Sequence, residues 1–277
     1  MLILGIDSSG HTASCALLED GVVLAEYSTN IGLTHSQTLL PMVAEIFSRT
    51  GKETKSLDAI AVSDGPGSFT GLRIGASTAK GLALGYNIPL IEVSTLEALA
   101  YNVSDAASLD SIYVHPIMDA RRKQVYTAAF LKGTLVGTEE AIGIDELVAR
   151  INDMGGKHIF LGDAVPVYKD YLIENLTVSF GFAGPQNILQ RASSVAAIGS
   201  EKLSKGETVS GHDFRLSYIR KPQAEREKEE AGLKSFDITH DDPDQLKKVQ
   251  VEDVLAARNY KIGIDAGYED ESLPENL

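Results

Sequence analysis

The chain has 277 residues, enough for about two domains with a proper core, and its 43% hydrophobic and 23% charged residues exclude a collagen-like, disordered or disulfide-stapled molecule. A single cysteine, Cys15, rules out an internal disulfide; the opening MLILGIDSSG lacks the basic start and long apolar core of a secretory signal, and every uncharged apolar run is far short of the ~20 residues of a bilayer helix. A cytoplasmic protein with no membrane association is expected. The net charge of −14 works against a broad basic nucleic-acid face, and the excess is uneven: 15 acidic and 7 basic residues from Glu225 to Leu277 leave −8 there and −6 in the first 224 residues.

Leu2 to Ile6 and Ala13 to Leu18 are short apolar runs, and Asp20-Gly21 is a hairpin signal before Val22 to Glu26, so a three-stranded meander is predicted. From Ser36 to Arg49 the residues Leu39, Leu40, Met42, Val43, Ile46 and Phe47 recur at helical spacing, with Pro41 near the first turn and Gly51 as a stop. Leu57 to Val62 reads as a buried strand, Thr70 to Leu84 as a second helix ending at Gly85, and Leu90 to Val93 as a strand. Ser94 and Glu97 then form a capping-box pattern for a short helix.

A second meander begins near Ile112. Asp119 repeats Asp7 at a distance of 112 residues, Gly133 repeats Gly21 at the same distance, and Gly162-Asp163 resembles Asp64-Gly65 at a shorter one. Equal offsets within one element order favour an internal duplication over the alternative of two unrelated α/β halves. Two βββαβα units describe an α/β protein with the duplicated ribonuclease H-like architecture of actin, Hsp70 ATPase domains and sugar kinases (ASKHA). The halves are expected at 1–104 and 105–226. An acidic extension follows at 227–277, with a weak helical pattern from Asp244 to Asn259.

In that architecture the first hairpin of each half carries an Asp and a glycine-rich turn, so that backbone N–H groups reach the ATP phosphates while the carboxylate governs Mg²⁺ or water. Here the first turn, Asp7-Ser8-Ser9-Gly10-His11-Thr12, leaves room for a phosphate, but the second, Asp119-Ala120-Arg121-Arg122-Lys123, fills the approach with bulky side chains. Asp7, Ser9 and Asp119 are candidates for a vestigial nucleotide site, and an ATPase or kinase using Asp7 and Asp119 is one alternative. Two aspartates capping their own turns is the plainer reading.

The segment from Ser63 to Gly75 places glycines before a helix N-terminus without a Walker lysine. Gly71, Gly75, Ala79 and Ala83 fall at i, i+4, i+8 and i+12, leaving a stripe that another backbone can approach, either an internal helix or a partner's. The preceding helix, with six apolar residues in nine positions, is wider than one core face requires and favours a partner. His115 and Asp119 share one strand face without metal-ligand spacing, so a structural role is expected for His115. His35 fits a cap or a partner contact. Ser, Cys and His form no constellation that supports a peptidase.

LILGIDSSGHTASCAL, THSQTLLPMV, SDGPGSFTGLRIGASTAKGLA, VSTLEALA, MDARRKQVY and YIRKP, in order over residues 1 to about 226, resemble the TsaB (YeaZ) family, a subunit of the bacterial machinery that makes threonylcarbamoyladenosine (t6A) in tRNA. The resemblance implies a cytoplasmic, non-catalytic paralogue of TsaD. In this scheme TsaC makes threonylcarbamoyl-adenylate and TsaD transfers the group to the adenosine beside the anticodon of tRNAs reading ANN codons. TsaE supplies an ATPase, so that ATP and metal belong to the partners and no cofactor is expected in the isolated chain.

The resemblance further implies pairing with TsaD through helices 36–49 and 70–84, a homodimer through the same surface in isolation, and tRNA contact only through the complex. Leu39, Met42, Val43, Ile46, Gly71, Gly75 and Ala79 are the expected interface contacts, with His35 and Arg73 at the edge. Gly75→Leu is then expected to block pairing and leave the monomer folded. A glycoprotease-like peptidase is the second alternative. Arg121, Arg122 and Lys123, the compact basic cluster, are candidates for tRNA or TsaE contact, beside the reading as a solvated turn. After about residue 226 the chain departs from the family pattern.

Overall fold

The computed structural model describes residues 1–32, 34–104 and 111–220, all within one compact unit, Met1–Pro222. The second unit, Gln223–Leu277, lies outside the described residues, and with it the helical pattern at Asp244 to Asn259.

The first half runs β1 (Leu2–Asp7), β2 (Ala13–Glu19), β3 (Val22–Thr29), α1 (His35–Thr50), β4 (Ala59–Gly65), α2 (Phe69–Tyr86), β5 (Leu90–Ser94) and α3 (Thr95–Tyr101). The second runs β6 (Tyr113–Asp119), β7 (Gln124–Leu131), β8 (Thr134–Gly143), α4 (Ile144–Met154), β9 (Lys157–Leu161), α5 (Val165–Asn175), β10 (Ser179–Phe182) and α6 (Ala192–Ser204). The sheets are ordered β3-β2-β1-β4-β5 and β10-β9-β6-β7-β8, each an antiparallel meander extended by two parallel strands. This is the ribonuclease H-like unit, present twice.

Both hairpins turn on two residues with positive φ, Asp20-Gly21 at 48° and 83° and Lys132-Gly133 at 52° and 75°, the geometry that matches the twist of paired strands. The 112-residue offset holds for the ends of β1 and β6, β2 and β7, and the starts of β3 and β8. It then contracts: β4 pairs Leu4 with Ile60 and β9 pairs Pro116 with Leu161, so Ile60 corresponds to Leu161 at an offset of 101. Much of the loss falls where the 16-residue α1 is replaced by the 11-residue α4. By this register Gly162-Asp163 is not the counterpart of Asp64-Gly65.

Strand alternation sorts the first sheet's side chains onto two faces. Leu2, Leu4, Ile6, Cys15 and Leu17 pack with Leu39, Val43 and Ile46 of α1 and Ala76, Ala79 and Ala83 of α2. Ile3, Ala59, Ala61, Ile91 and Val93 pack with Val195, Ala196 and Ile198 of α6. That last contact is close: a Cβ on Gly5 would lie 2.2 Å from the Ala192 carbonyl oxygen, and one on Gly199 would lie 2.4 Å from Ala61 Cβ. The second sheet takes α4 and α5 on one face and Leu96, Leu99 and Ala100 of α3 on the other. Each half thus ends in a helix that covers the other half's sheet.

Two helix ends differ from expectation. α2 runs past Gly85 and stops at Asn87, whose φ of 56° breaks the spiral while its N–H donates to the Ala83 carbonyl. Ser94 does cap α3, its Oγ accepting from the N–H groups of Leu96 (3.2 Å) and Glu97 (3.3 Å). The capping box is incomplete, because Glu97 pairs with Lys202 at 3.4 Å and the Ser94 hydroxyl donates to Glu139. Among the described residues no helix is long and apolar enough to cross a membrane.

Candidate functional site

The first strand-end turn is closed by its own chain. Asp7 is fully buried; Oδ1 accepts from Ser9 N–H (2.9 Å) and Ser9 Oγ (2.7 Å), and Oδ2 accepts from Ser63 Oγ (2.6 Å). Burial still pushes its carboxyl above the usual range, opposed by those hydrogen bonds. Ser8 Oγ donates to the Gly71 carbonyl at 2.8 Å, and Ser68 N–H donates to the Ser9 carbonyl at 2.6 Å. His35 Nε2–H donates to the Gly10 carbonyl at 2.8 Å, so His35 pins this turn and does not cap α1.

That packing explains the glycine block. A Cβ on Gly67, Gly71 or Gly75 would lie 2.3 Å from Ser9 O, 2.2 Å from Ser8 O or 2.3 Å from Ser8 Oγ, so these glycines let the turn lie on α2 and the loop before it. On the turn's other side Gln190 abuts Gly10, with Nε2 2.4 Å from where a Cβ would stand. Asp7 and Ser9 are committed to each other, while Thr12 Oγ1 and both side-chain amide atoms of Gln190 lie buried without a hydrogen-bond partner.

The second turn is strained and basic. Arg121, Arg122 and Lys123 take φ of 62°, 54° and 58° in succession, a conformation that costs side-chain-bearing residues roughly 1–2 kcal/mol each. Asp119 is exposed, and its Oδ1 accepts from Arg121 N–H at 2.8 Å, while its own N–H donates to Asp163 Oδ1 at 3.0 Å. Burial raises the Asp163 carboxyl, with His11 of the first turn acting against it. Both Asp7 oxygens are engaged by Ser9 and Ser63 and do not fit a free Mg²⁺ ligand, whereas Asp119 is exposed. Among the described residues no three His, Cys, Asp or Glu side chains gather as metal ligands, and no serine hydroxyl or cysteine thiol is hydrogen-bonded to a histidine.

His115 is buried and donates Nε2–H to His158 Nδ1 at 2.9 Å, because His158 Nε2–H must serve the Gly155 carbonyl at 2.9 Å. Burial and the neighbouring imidazole push His115 down to about 3. Cys15 is buried between strands, its thiol pushed up to about 12 by burial. Asp64, at the end of β4, is pushed up to about 7 by burial and the nearby Glu92.

The α1–α2 pair divides the expected interface residues. Leu39, Val43, Ile46, Gly71, Gly75 and Ala79 are buried within this chain, the first three and Ala79 in the core of the first sheet and the two glycines against Ser8. Their side chains are unavailable to a partner, which corrects their expected role. Met42 is half-buried, His35 sits at the rim, and Arg73 is exposed. What faces outward is an open groove of about 510 Å³ whose walls include His35, Leu40, Phe69, Arg73 and Ile74. Leu40 is 55% exposed. The Arg73 guanidinium lies 3.7 Å above the Phe69 ring, which in turn meets Tyr218 at 5.4 Å. Leu40 and Phe69 were legible as apolar residues, but only the direction each faces separates them from Leu39 and Leu72.

A duplicated ribonuclease H-like molecule whose first strand-end turn is packed against its own α2, with an apolar groove open on its first helix pair, defines an ASKHA-fold protein. The family model described as TsaD, tRNA N6-adenosine threonylcarbamoyltransferase, matches residues 29–225. The tRNA threonylcarbamoyladenosine biosynthesis protein TsaB of Bacillus subtilis is 34% identical over 230 residues, covering 81% of this chain and 96% of the relative. Its Escherichia coli namesake is 32% identical over 225 residues, covering 79% and 95%. YeaZ from Pseudomonas aeruginosa superposes with a TM-score of 0.66 at 26% identity, over 78% of this chain and 99% of that one. The chain belongs to the TsaB family.

Proposed function

We propose that this protein serves formation of threonylcarbamoyladenosine in tRNA as a non-catalytic subunit, docking the outer face of α1 and α2 against a TsaD-type transferase. The observation that carries the reading is the groove: the inner stripes of both helices are satisfied by this chain, yet Leu40, Phe69 and Ile74 still line an apolar surface beside Arg73. Chemistry on bound nucleotide would need a free carboxylate at Asp7, and the chain engages both of its oxygens itself. A second copy of the chain can meet the same face, so homodimer and heterodimer compete for it; TsaE joins the assembly, and ATP and metal chemistry stays with the partners.

Leu40→Glu combined with Arg73→Glu puts charge on this face without touching the core. Copurification of the tagged chain with a TsaD-type protein should be lost while the thermal melting curve of the variant is unchanged. Retained copurification by the folded variant overturns the docking face; absence of any such protein from the wild-type eluate overturns the subunit reading.

A further inference from the structure

In a chain of net charge −14, Arg121-Arg122-Lys123 is the only run of three basic residues. The backbone pins it in place: Ala120 N–H donates to the Gln124 carbonyl (3.0 Å), Gln124 N–H to Arg121 (3.1 Å) and Ile144 N–H to Lys123 (3.1 Å). Arg220 Nη1 donates to the Ala120 carbonyl at 3.1 Å, which brings a fourth cation to the turn. The three side chains of the run are exposed and make no ion pair among the described residues, whereas Arg49, Lys52, Lys55, Arg150, Arg191 and Lys202 are each held by a carboxylate.

We propose that this turn grips the phosphate backbone of RNA. Successive side chains of a left-handed turn splay around its axis by about a third of a circle each, so these three cations do not converge on one phosphate. They suit an extended polyanion that presents charges several ångströms apart. Two are guanidiniums, which bind phosphate oxygens in pairs. An acidic body repels RNA elsewhere, so a short unpaired cationic turn also sets which side of the molecule meets it. The inference rests on the reading of the chain as a subunit acting on tRNA.

The test is titration of a labelled, unmodified transcript of a tRNA reading an ANN codon with the full chain in complex with its TsaD-type partner, from about 50 to about 200 mM salt. Replacing all three residues by Gln should weaken binding at least about tenfold at the lower salt and make the slope of log affinity against log salt shallower by about 2, as loss of three phosphate contacts requires. Arg121→Lys with Arg122→Lys keeps the charge and should keep the slope, which separates charge from any disturbance of the turn. Unchanged affinity and slope in the Gln variant overturn the inference and leave the pairing intact. The inference also falls if the Gln variant binds RNA normally and instead loses an ATPase subunit from the assembly, since the turn is then a protein contact. If no partner complex forms, the pairing fails on its own, and the same titration on the chain alone decides the turn: an unchanged slope, or no RNA binding at the lower salt, overturns it.

Discussion

His115 and His158 show how one hydrogen-bond chain fixes protonation. The Gly155 carbonyl accepts from His158, which leaves His158 Nδ1 as acceptor and His115 as donor, so both rings are neutral in the fold. The unfolded chain binds a proton on His115 near its ordinary value of about 6.5, whereas the folded chain resists until about 3. Between those values the unfolded state holds more protons, and stability falls as pH falls, by roughly 1.4 kcal/mol per unit from this group. Asp7, Asp64, Asp163 and Glu139 act in the opposite sense: burial raises each, so the unfolded state loses its protons first and stability falls as pH rises, for Asp64 up to about 7. From about pH 4 to about pH 6.5 His115 and Asp64 offset each other, and the remaining carboxyls make denaturant midpoints fall as pH rises. His115→Gln, which keeps an N–H for His158, should steepen that fall by removing the opposing group; an unchanged slope in that variant would show that His115 does not oppose it. A structural role for His115 was legible from its strand position, but its partner lies 43 residues away and only the register of β6 with β9 brings the two together.

At the scale of elements, α2 carries two kinds of glycine. Gly71 faces inward with the Ser8 carbonyl where a Cβ would go, while Gly81 faces outward with no atom within 4 Å. Gly71→Ala should therefore cost about 1–3 kcal/mol by forcing backbone apart, and Gly81→Ala should gain about 0.4–1 kcal/mol by restricting the unfolded chain. Thermal melts of the two variants should move in opposite directions; a Gly71→Ala protein as stable as wild type would mean that α2 is free to shift away from the turn. The same clash geometry means that Gly75→Leu disturbs the fold before it can report on a partner. The four-residue spacing of the stripe was plain in the sequence, and so was the need for a close neighbour. The identity of that neighbour was not, because a turn of Ser8 and Ser9 some 60 residues upstream carries no helical signature. The meanders were legible for the opposite reason: a two-residue hairpin and an aspartate at the end of β1 and of β6 are local signals, and they repeat at one offset until α4 shortens it.

At the scale of the molecule, the sequence order of the halves and their packing diverge. A fragment of residues 1–104 keeps the first sheet but loses α6, baring Ile3, Ala59, Ala61, Ile91 and Val93; a fragment from 111 onward keeps the second sheet but loses α3 and bares Val114, Met118, Ala128 and Phe130. Each fragment alone should be aggregated or unfolded, and the two produced together should reassemble into a soluble pair with the ultraviolet circular dichroism of the intact chain. A stably folded, monomeric 1–104 fragment would contradict the exchange. A single unit of this kind leaves one face of its sheet bare, and two copies trading their final helices cover both faces without any new element. The present chain has the form of a domain-swapped dimer carried on one polypeptide, its interior packed as an interface between the two halves.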